Sequence, residues 1–282
     1  MHEDKVDFGG TDAPLTDSEA VTKSLVQIPI VAGAVVPIFN VPGVRSLVLN
    51  GKLLGQIYAG KIETWNDRAI AQLNQRVALP NLPIIVAHRS DGSGTTNIFT
   101  TYLTKVSVDW TQVVSPSKGT AIDWPVDKLK RGLGGNGNQG VADAVRQTAR
   151  AIGYVELSFA VKNKLAYTQM INAAGQVVNA SAASTTTAIR DAVFNDRFAA
   201  DIQDSKQTTA WPISGFTYVL LHKDYKDCAK AQKLTAWITW GVTSQDARVR
   251  ATKLLYSVLP SSITPKVTQA LKGVTCNGAP IS

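Results

Sequence analysis

Twice in this sequence the hydrophobic period switches from strand-like to helix-like within a few residues, and that switch restricts the fold to the α/β class. In "LPIIVAHRSDGSGTTNIFTTYL", a continuous apolar run ending at Arg89 reads as a strand buried on both faces. After the glycine-opened turn, Phe99, Tyr102, Leu103 and Val106 recur at i, i+3, i+4 and i+7, which makes one apolar helical face. "GGNGNQGVADAVRQTARAIGYVEL" repeats the order: a glycine-rich turn, a helix, then a strand from Ile152 to Leu157. Strand and helix alternating through the middle of a chain imply a sheet covered by helices.

The flanks are consistent with this. "LTDSEAV" is a helix start, with Thr16 as N-cap, Glu19 completing a capping box and Leu15 available as a staple. "LVQIPIVAGAVVPIFNV" is β-branched and apolar, so buried strand is expected, with Pro29 and Pro37 limiting the length of each strand. The longest apolar run, Ile28 to Phe39, is too short to span a bilayer. The Ala/Ser/Thr-rich start of "NASAASTTTAIRDAV" reads as a surface loop leading into a helix. "GFTYVLLHK" is a further strand, and "AKAQKLTAWITWG" and "DARVRATKLLYSVL" are two amphipathic helices.

At 282 residues the chain can bury a large core, and its length favours two lobes over one. A formal charge of +8 points to an anionic partner, but the Lys and Arg residues are scattered and only Lys128 to Arg131 forms a tight cluster. A solvated surface, and no nucleic-acid partner, is the better reading. Cys228 and Cys276 with three histidines make no zinc spacing, so no metal or other cofactor is expected. The two cysteines are either free thiols or paired in an oxidising compartment.

The turn between Arg89 and the helix is suited to receiving an oxyanion. A helix N-terminus leaves N–H groups unpaired and carries partial positive charge. Gly92 and Gly94 let backbone come close, Ser93 and Thr95 add hydroxyls, and the Arg89 guanidinium matches a tetrahedral oxyanion bidentately. The plainer reading is that Ser93 or Thr95 caps the helix while Arg89 pairs with Asp91 on the surface. A Walker A loop is excluded because no lysine lies in the turn, and a nucleophile elbow because Asp91 and Thr95 stand where glycines are required. "GNGNQG", Gly135 to Gly140, satisfies Gly-x-Gly-x-x-Gly but follows the polar "DKLKRGL" rather than a buried strand, which makes it a weak dinucleotide signal.

In order along the chain, "VDFGGTDAPL", "IPIVAGAVVPIFNVPGV", "LNGKLLGQIYAGKIETWND", "RSDGSGTTNIFTTYL", "GGNGNQGVADAV", "AIGYVE" and "AWPISGFTYVLLHK" resemble the phosphate-binding protein of bacterial phosphate ABC transporters. The resemblance runs from Val6 to the C-terminus. It implies a two-lobed, type II periplasmic binding protein, with 1–40 and 212–282 forming lobe one, 41–211 forming lobe two, and crossovers near Asn40 to Pro42 and Trp211 to Ser214. It also implies that Arg89, Ser93, Gly94 and Thr95 donate to phosphate, that Asp12 accepts from it, and that Asp91 holds Arg89 in place. A carboxylate facing an anion is tolerable only when the ligand carries a proton to donate, as phosphate does at neutral pH and sulfate does not.

By the same resemblance the chain is a binder and not an enzyme. It would be a monomer, periplasmic or extracellular, that hands inorganic phosphate to a membrane permease, and Cys228 and Cys276 would be paired as in exported proteins. Two rival readings are a phosphatase or other phosphoryl-handling enzyme on the same scaffold, and an extracellular relative with no transport role. Against the enzyme, no histidine or cysteine cluster lies near the motifs, and His88 should alternate away from Arg89. In the family a signal peptide, a phosphate-loop strand, a helix and a second strand precede the "VDFG" segment. Lobe one is therefore expected to be incomplete, the chain truncated at its N-terminus, and its phosphate binding weak.

Overall fold

The computed structural model describes residues 6–281; residues 1–5, which open the segment assigned to lobe one, and Ser282, which closes it, lie outside the described residues. The N-terminal part supplies β1 (Phe8–Thr11), α1 (Asp17–Thr22) and β2 (Leu25–Asn40). The middle consists of β3 (Val48–Asn50), α2 (Gly51–Tyr58), α3 (Arg68–Leu73), β4 (Ile85–Arg89), α4 (Gly94–Val106), α5 (Val108–Val113), α6 (Pro125–Lys128), β5 (Gly132–Gly135), α7 (Gly137–Gln147), β6 (Ala151–Glu156) and α8 (Leu157–Lys162). β7 (Ala166–Tyr167), β8 (Gln169–Ile171), β9 (Val177–Val178) and α9 (Ala182–Ile189) lead to β10 (Ser214–His222). The chain closes with β11 (Asp224–Tyr225), α10 (Cys228–Thr243), α11 (Gln245–Lys253), β12 (Ser257–Val258), α12 (Thr264–Leu271), β13 (Thr275–Cys276) and β14 (Ala279–Pro280).

The principal sheet runs β1-β10-β2-β6-β4-β5, with β12 and β7 also pairing with β2. β4 is parallel to β5 and β6, as strand–helix alternation requires, and α4 and α7 pack over this part of the sheet. β2 is the shared spine: Leu25 to Ala34 pair with β10, and Val35 to Asn40 pair with β6.

Pro29 and Pro37 do not limit the strands as the sequence suggested, for β2 is one strand of 16 residues. Pro29 stands opposite Tyr218, where the register with β10 shifts, so its missing donor falls at an irregularity. The Pro37 carbonyl accepts from Thr168 just past the two-residue β7, so its missing N–H faces the end of a short strand.

Two apolar cores flank the spine. The larger gathers Val36, Ile38, Ile152 and Val155 from the sheet with Leu54, Phe99, Leu103 and Val145 from the helices. The smaller packs Ile28, Phe216 and Leu221 against Ile238, Val267 and Leu271. Burying each such side chain contributes on the order of 1.5–3 kcal/mol.

The Ala/Ser/Thr-rich segment is itself a helix rather than a loop. Ser181 caps α9 and exchanges hydrogen bonds with Ser184, which supplies the start signal that composition obscured. The second C-terminal helix ends at Lys253, and Ser257 and Val258 join the sheet as β12. Cys228 and Cys276 form a disulfide that ties the start of α10 to β13 across a sequence separation of 48.

Candidate functional site

β4 delivers Arg89 to the edge of a cleft of about 520 Å3, and α4 begins on the same side. Tyr154 of β6 fixes this junction: its ring stacks on Phe99 with centroids 4.3 Å apart, and its hydroxyl receives the Arg89 N–H at 3.3 Å. The same hydroxyl shares a 2.6 Å hydrogen bond with Thr96 Oγ1, which ties the strand end to the first turn of α4.

Ser93 caps α4, its Oγ accepting from Thr96 N at 3.1 Å, while its own N–H donates to the Thr120 carbonyl. The plainer sequence reading of Ser93 as a cap is therefore correct, yet Ser93 also lines the cleft with Gly92, Gly94 and Thr95. Gly94 and Thr95 are the first residues of the helix, so their N–H groups are among those that a helix leaves unpaired. Gly94 is required by packing: a Cβ there would come within 2.6 Å of Asp12 N and 2.9 Å of Asp12 Oδ2. That contact sets the Asp12 carboxyl against the helix N-terminus.

Arg89 is held by Asp91 through a fork, Nε to Oδ1 at 2.7 Å and Nη2 to Oδ2 at 2.5 Å, leaving Nη1 3.5 Å from Asn138 Oδ1. Asp91 also accepts from Gly137 N at 3.0 Å, so the turn into α7 buttresses the pair. The guanidinium beside it holds the Asp91 carboxyl far below the usual carboxylate range.

Asp12 behaves oppositely. Burial, with the charge of Glu156 adding to it, pushes its carboxyl up to about 6, although the Thr217 hydroxyl donates to Oδ1 at 2.7 Å and Arg89 lies near. The Thr11 side chain closes the turn ahead of it, with Oγ1 donating to the Ala13 carbonyl and accepting from Ala13 N.

Asp12, Arg89, Ser93, Gly94 and Thr95 thus line one cleft, with Asp91 bonded to Arg89 at its edge. Sequence reasoning missed Asn138, Glu156, Thr217 and Thr120, which line it too. The signal for Asn138 lay in "GNGNQG", which follows a strand after all: β5 pairs with β4, and its last residue, Gly135, is packed so closely on Gly140 that a Cβ would meet backbone at 2.5 Å. His88 points elsewhere, stacked on Trp124 at 5.0 Å with Nε2 on Asp127 Oδ1 at 2.8 Å.

A family model described as a PBP superfamily domain matches residues 1–245. The Phosphate-binding protein PstS of Xylella fastidiosa (strain 9a5c) is 40% identical over 266 residues, covering 93% of this chain and 71% of that protein. This chain belongs to the PstS family of phosphate-binding proteins.

The PstS of Pasteurella multocida (strain Pm70) is 37% identical and covers 93% of this chain and 75% of its own length. Among solved structures, a high affinity periplasmic phosphate-binding protein (PfluDING) bound with phosphate superposes with a TM-score of 0.73 at 23% identity, covering 95% of this chain and 80% of that one. A phosphate binding protein from Stenotrophomonas maltophilia superposes at 0.66 with 20% identity, covering 98% and 85%. The PstS relatives are named as binding proteins, not enzymes, and the mixed α/β fold is that of two-lobed binding proteins.

Proposed function

We propose that this protein captures inorganic phosphate in the cleft between the β1–α1 turn and the start of α4, and delivers it to the permease of an ABC transporter in the periplasm. Arg89 Nη1, the first-turn N–H groups of Gly94 and Thr95 and the hydroxyls of Ser93 and Thr95 donate to the ligand. Asp12 accepts a hydrogen bond from the ligand O–H, and Asp91 keeps the guanidinium plane fixed. Residues 1–40 with 212–282, and 41–211, act as the two lobes of a monomeric receptor, moving about the crossovers near Asn40 to Pro42 and Trp211 to Ser214 to enclose the ligand.

The observation that carries this reading is the Asp12 carboxyl packed against Gly94 at a helix N-terminus, with a guanidinium already paired by Asp91 in the same cleft. Donors alone would suit any oxyanion. A carboxylate among them restricts the ligand to one that brings a proton, since an unpaired acceptor facing a bare anion is strongly unfavourable.

The test is displacement of labelled phosphate from the protein by excess unlabelled phosphate or sulfate near neutral pH. Phosphate is expected to displace and sulfate to fail, and Asp12→Asn is expected to narrow the difference because an amide can donate to a fully ionised anion. Comparable displacement by the two anions would sink the reading.

A further inference from the structure

The cleft contains an acidic residue that the phosphate reading leaves without a task. Glu156 ends β6, opposite Val35 of β2, and occupies the N-cap position of α8, yet its side chain makes no capping bond. It lines the cleft together with Asp12 and Arg89, and its charge acts on both, raising the Asp12 carboxyl and reinforcing the charged form of Arg89. Its Oε2 accepts from the hydroxyl of Tyr256.

Tyr256 reaches this point from the opposite end of the sequence through an unusual backbone. Leu255 lies at φ +69, in the left-handed region that side chains other than glycine seldom adopt, and its side chain packs against the larger core. The turn lays the Tyr256 ring on β2 at Gly33, where a Cβ would come within 3.2 Å of it. The hydroxyl also sits 3.5 Å from Ser158 Oγ. A left-handed leucine, a glycine that clears room on β2 and a phenol aimed at one carboxylate oxygen together fix where Glu156 stands. A phenol donates a single proton, so the second oxygen of Glu156 remains an acceptor.

We propose that Glu156, positioned by Tyr256, is a further specificity-determining residue of the cleft: a second fixed carboxylate that admits an oxyanion carrying protons and rejects one without them. This rests on the phosphate reading and deepens it. Three carboxylates, Asp12, Asp91 and Glu156, face one guanidinium, Arg89, at the cleft. Asp91 is consumed by Arg89. A single further carboxylate at Asp12 would be an incomplete filter, because on taking up a proton it stops repelling sulfate and becomes a donor to it. Glu156 adds a second carboxylate to that wall, held by Tyr256, and its free oxygen offers an acceptor to a second ligand O–H.

The experiment measures phosphate and sulfate affinities by calorimetry near neutral pH for the unchanged protein, Glu156→Gln and Tyr256→Phe, with thermal unfolding as a check on folding. Glu156→Gln is expected to raise sulfate affinity about tenfold, the scale of one solvent-screened charge–charge interaction, while phosphate affinity moves much less. Tyr256→Phe should shift the phosphate-to-sulfate ratio in the same direction by a smaller factor, a readout that a merely structural tyrosine would leave unmoved. Phosphate binding with an unaltered ratio in Glu156→Gln overturns the assignment of Glu156 alone. No phosphate binding by the unchanged protein overturns the phosphate reading and takes this proposal with it.

Discussion

Replacing Asp12 by Asn is expected to stabilise the ligand-free protein, and to do so only at the higher pH values. Burial and the neighbouring Glu156 raise the Asp12 carboxyl from 3.8 to about 6. Between those values the native protein holds a proton that the unfolded chain has released, so stability falls as pH rises through the window. Above the folded value the whole penalty is present. A displacement of about two pH units corresponds to about 3 kcal/mol at 1.36 kcal/mol per unit. Asparagine can still accept from Thr217 and carries no charge, so Asp12→Asn escapes the penalty. The assay is urea unfolding of both proteins, in buffers free of phosphate and sulfate, from about pH 4 to pH 8. The other carboxylates are common to both and cancel in the difference. The gain should be near zero at the acid end and approach about 3 kcal/mol at pH 8, which moves the midpoint by about 1 M at a slope of about 3 kcal/mol/M. An equal midpoint difference at the two ends would refute the reasoning, since it would mean that the Asp12 carboxylate is not held at a cost in the native state.

Gly94→Ala forces Asp12 and its turn away from α4, so we expect a loss of about 1–3 kcal/mol in stability together with at least a tenfold fall in phosphate affinity; retention of both would show that the two segments yield freely. Arg89→Ala should leave the protein folded but weaken phosphate binding by about 10- to 150-fold, the equivalent of roughly 1.5–3 kcal/mol for one charge-assisted hydrogen bond, and unchanged affinity by calorimetry would exclude this arginine. Reducing the Cys228–Cys276 bond opens a loop with a separation of 48 residues and should lower stability by about 2–4 kcal/mol; two freely alkylated thiols in unreduced protein, seen by mass spectrometry, would contradict the pairing.

The parts of the site that sequence disclosed are those encoded within one strand–turn–helix unit. Arg89, Asp91 and Ser93 to Thr95 fall within seven residues, so hydrophobic period, glycine spacing and hydroxyl placement all speak at once. Asp12 was legible only through family resemblance, because its environment is made by Gly94 and Thr217, both remote in sequence. Thr217 and Glu156 have no local signature at all: each is an ordinary polar residue in or ending an apolar strand, brought to the cleft by the registers of β10 and β6 with β2. β5 was overlooked because "GLGG" has little β-propensity and is held by its ladder with β4. The continuity of β2 was hidden for a similar reason, since the tolerance of Pro29 and Pro37 depends on partners that appear only in three dimensions.

The spine also sets a timetable for biosynthesis. Ala32 of β2 pairs with Ser257, so more than two hundred residues must be made after β2 before that contact can form. At roughly 5–20 residues per second the segment waits on the order of 10–45 s. Its sequence, "LVQIPIVAGAVVPIFN", is rich in Val and Ile and mostly apolar, a composition that favours self-association when a strand is left unpaired. Pro29 and Pro37 lack N–H groups, so they break the donor row of the waiting strand, the same feature that blunts pairing at exposed sheet edges.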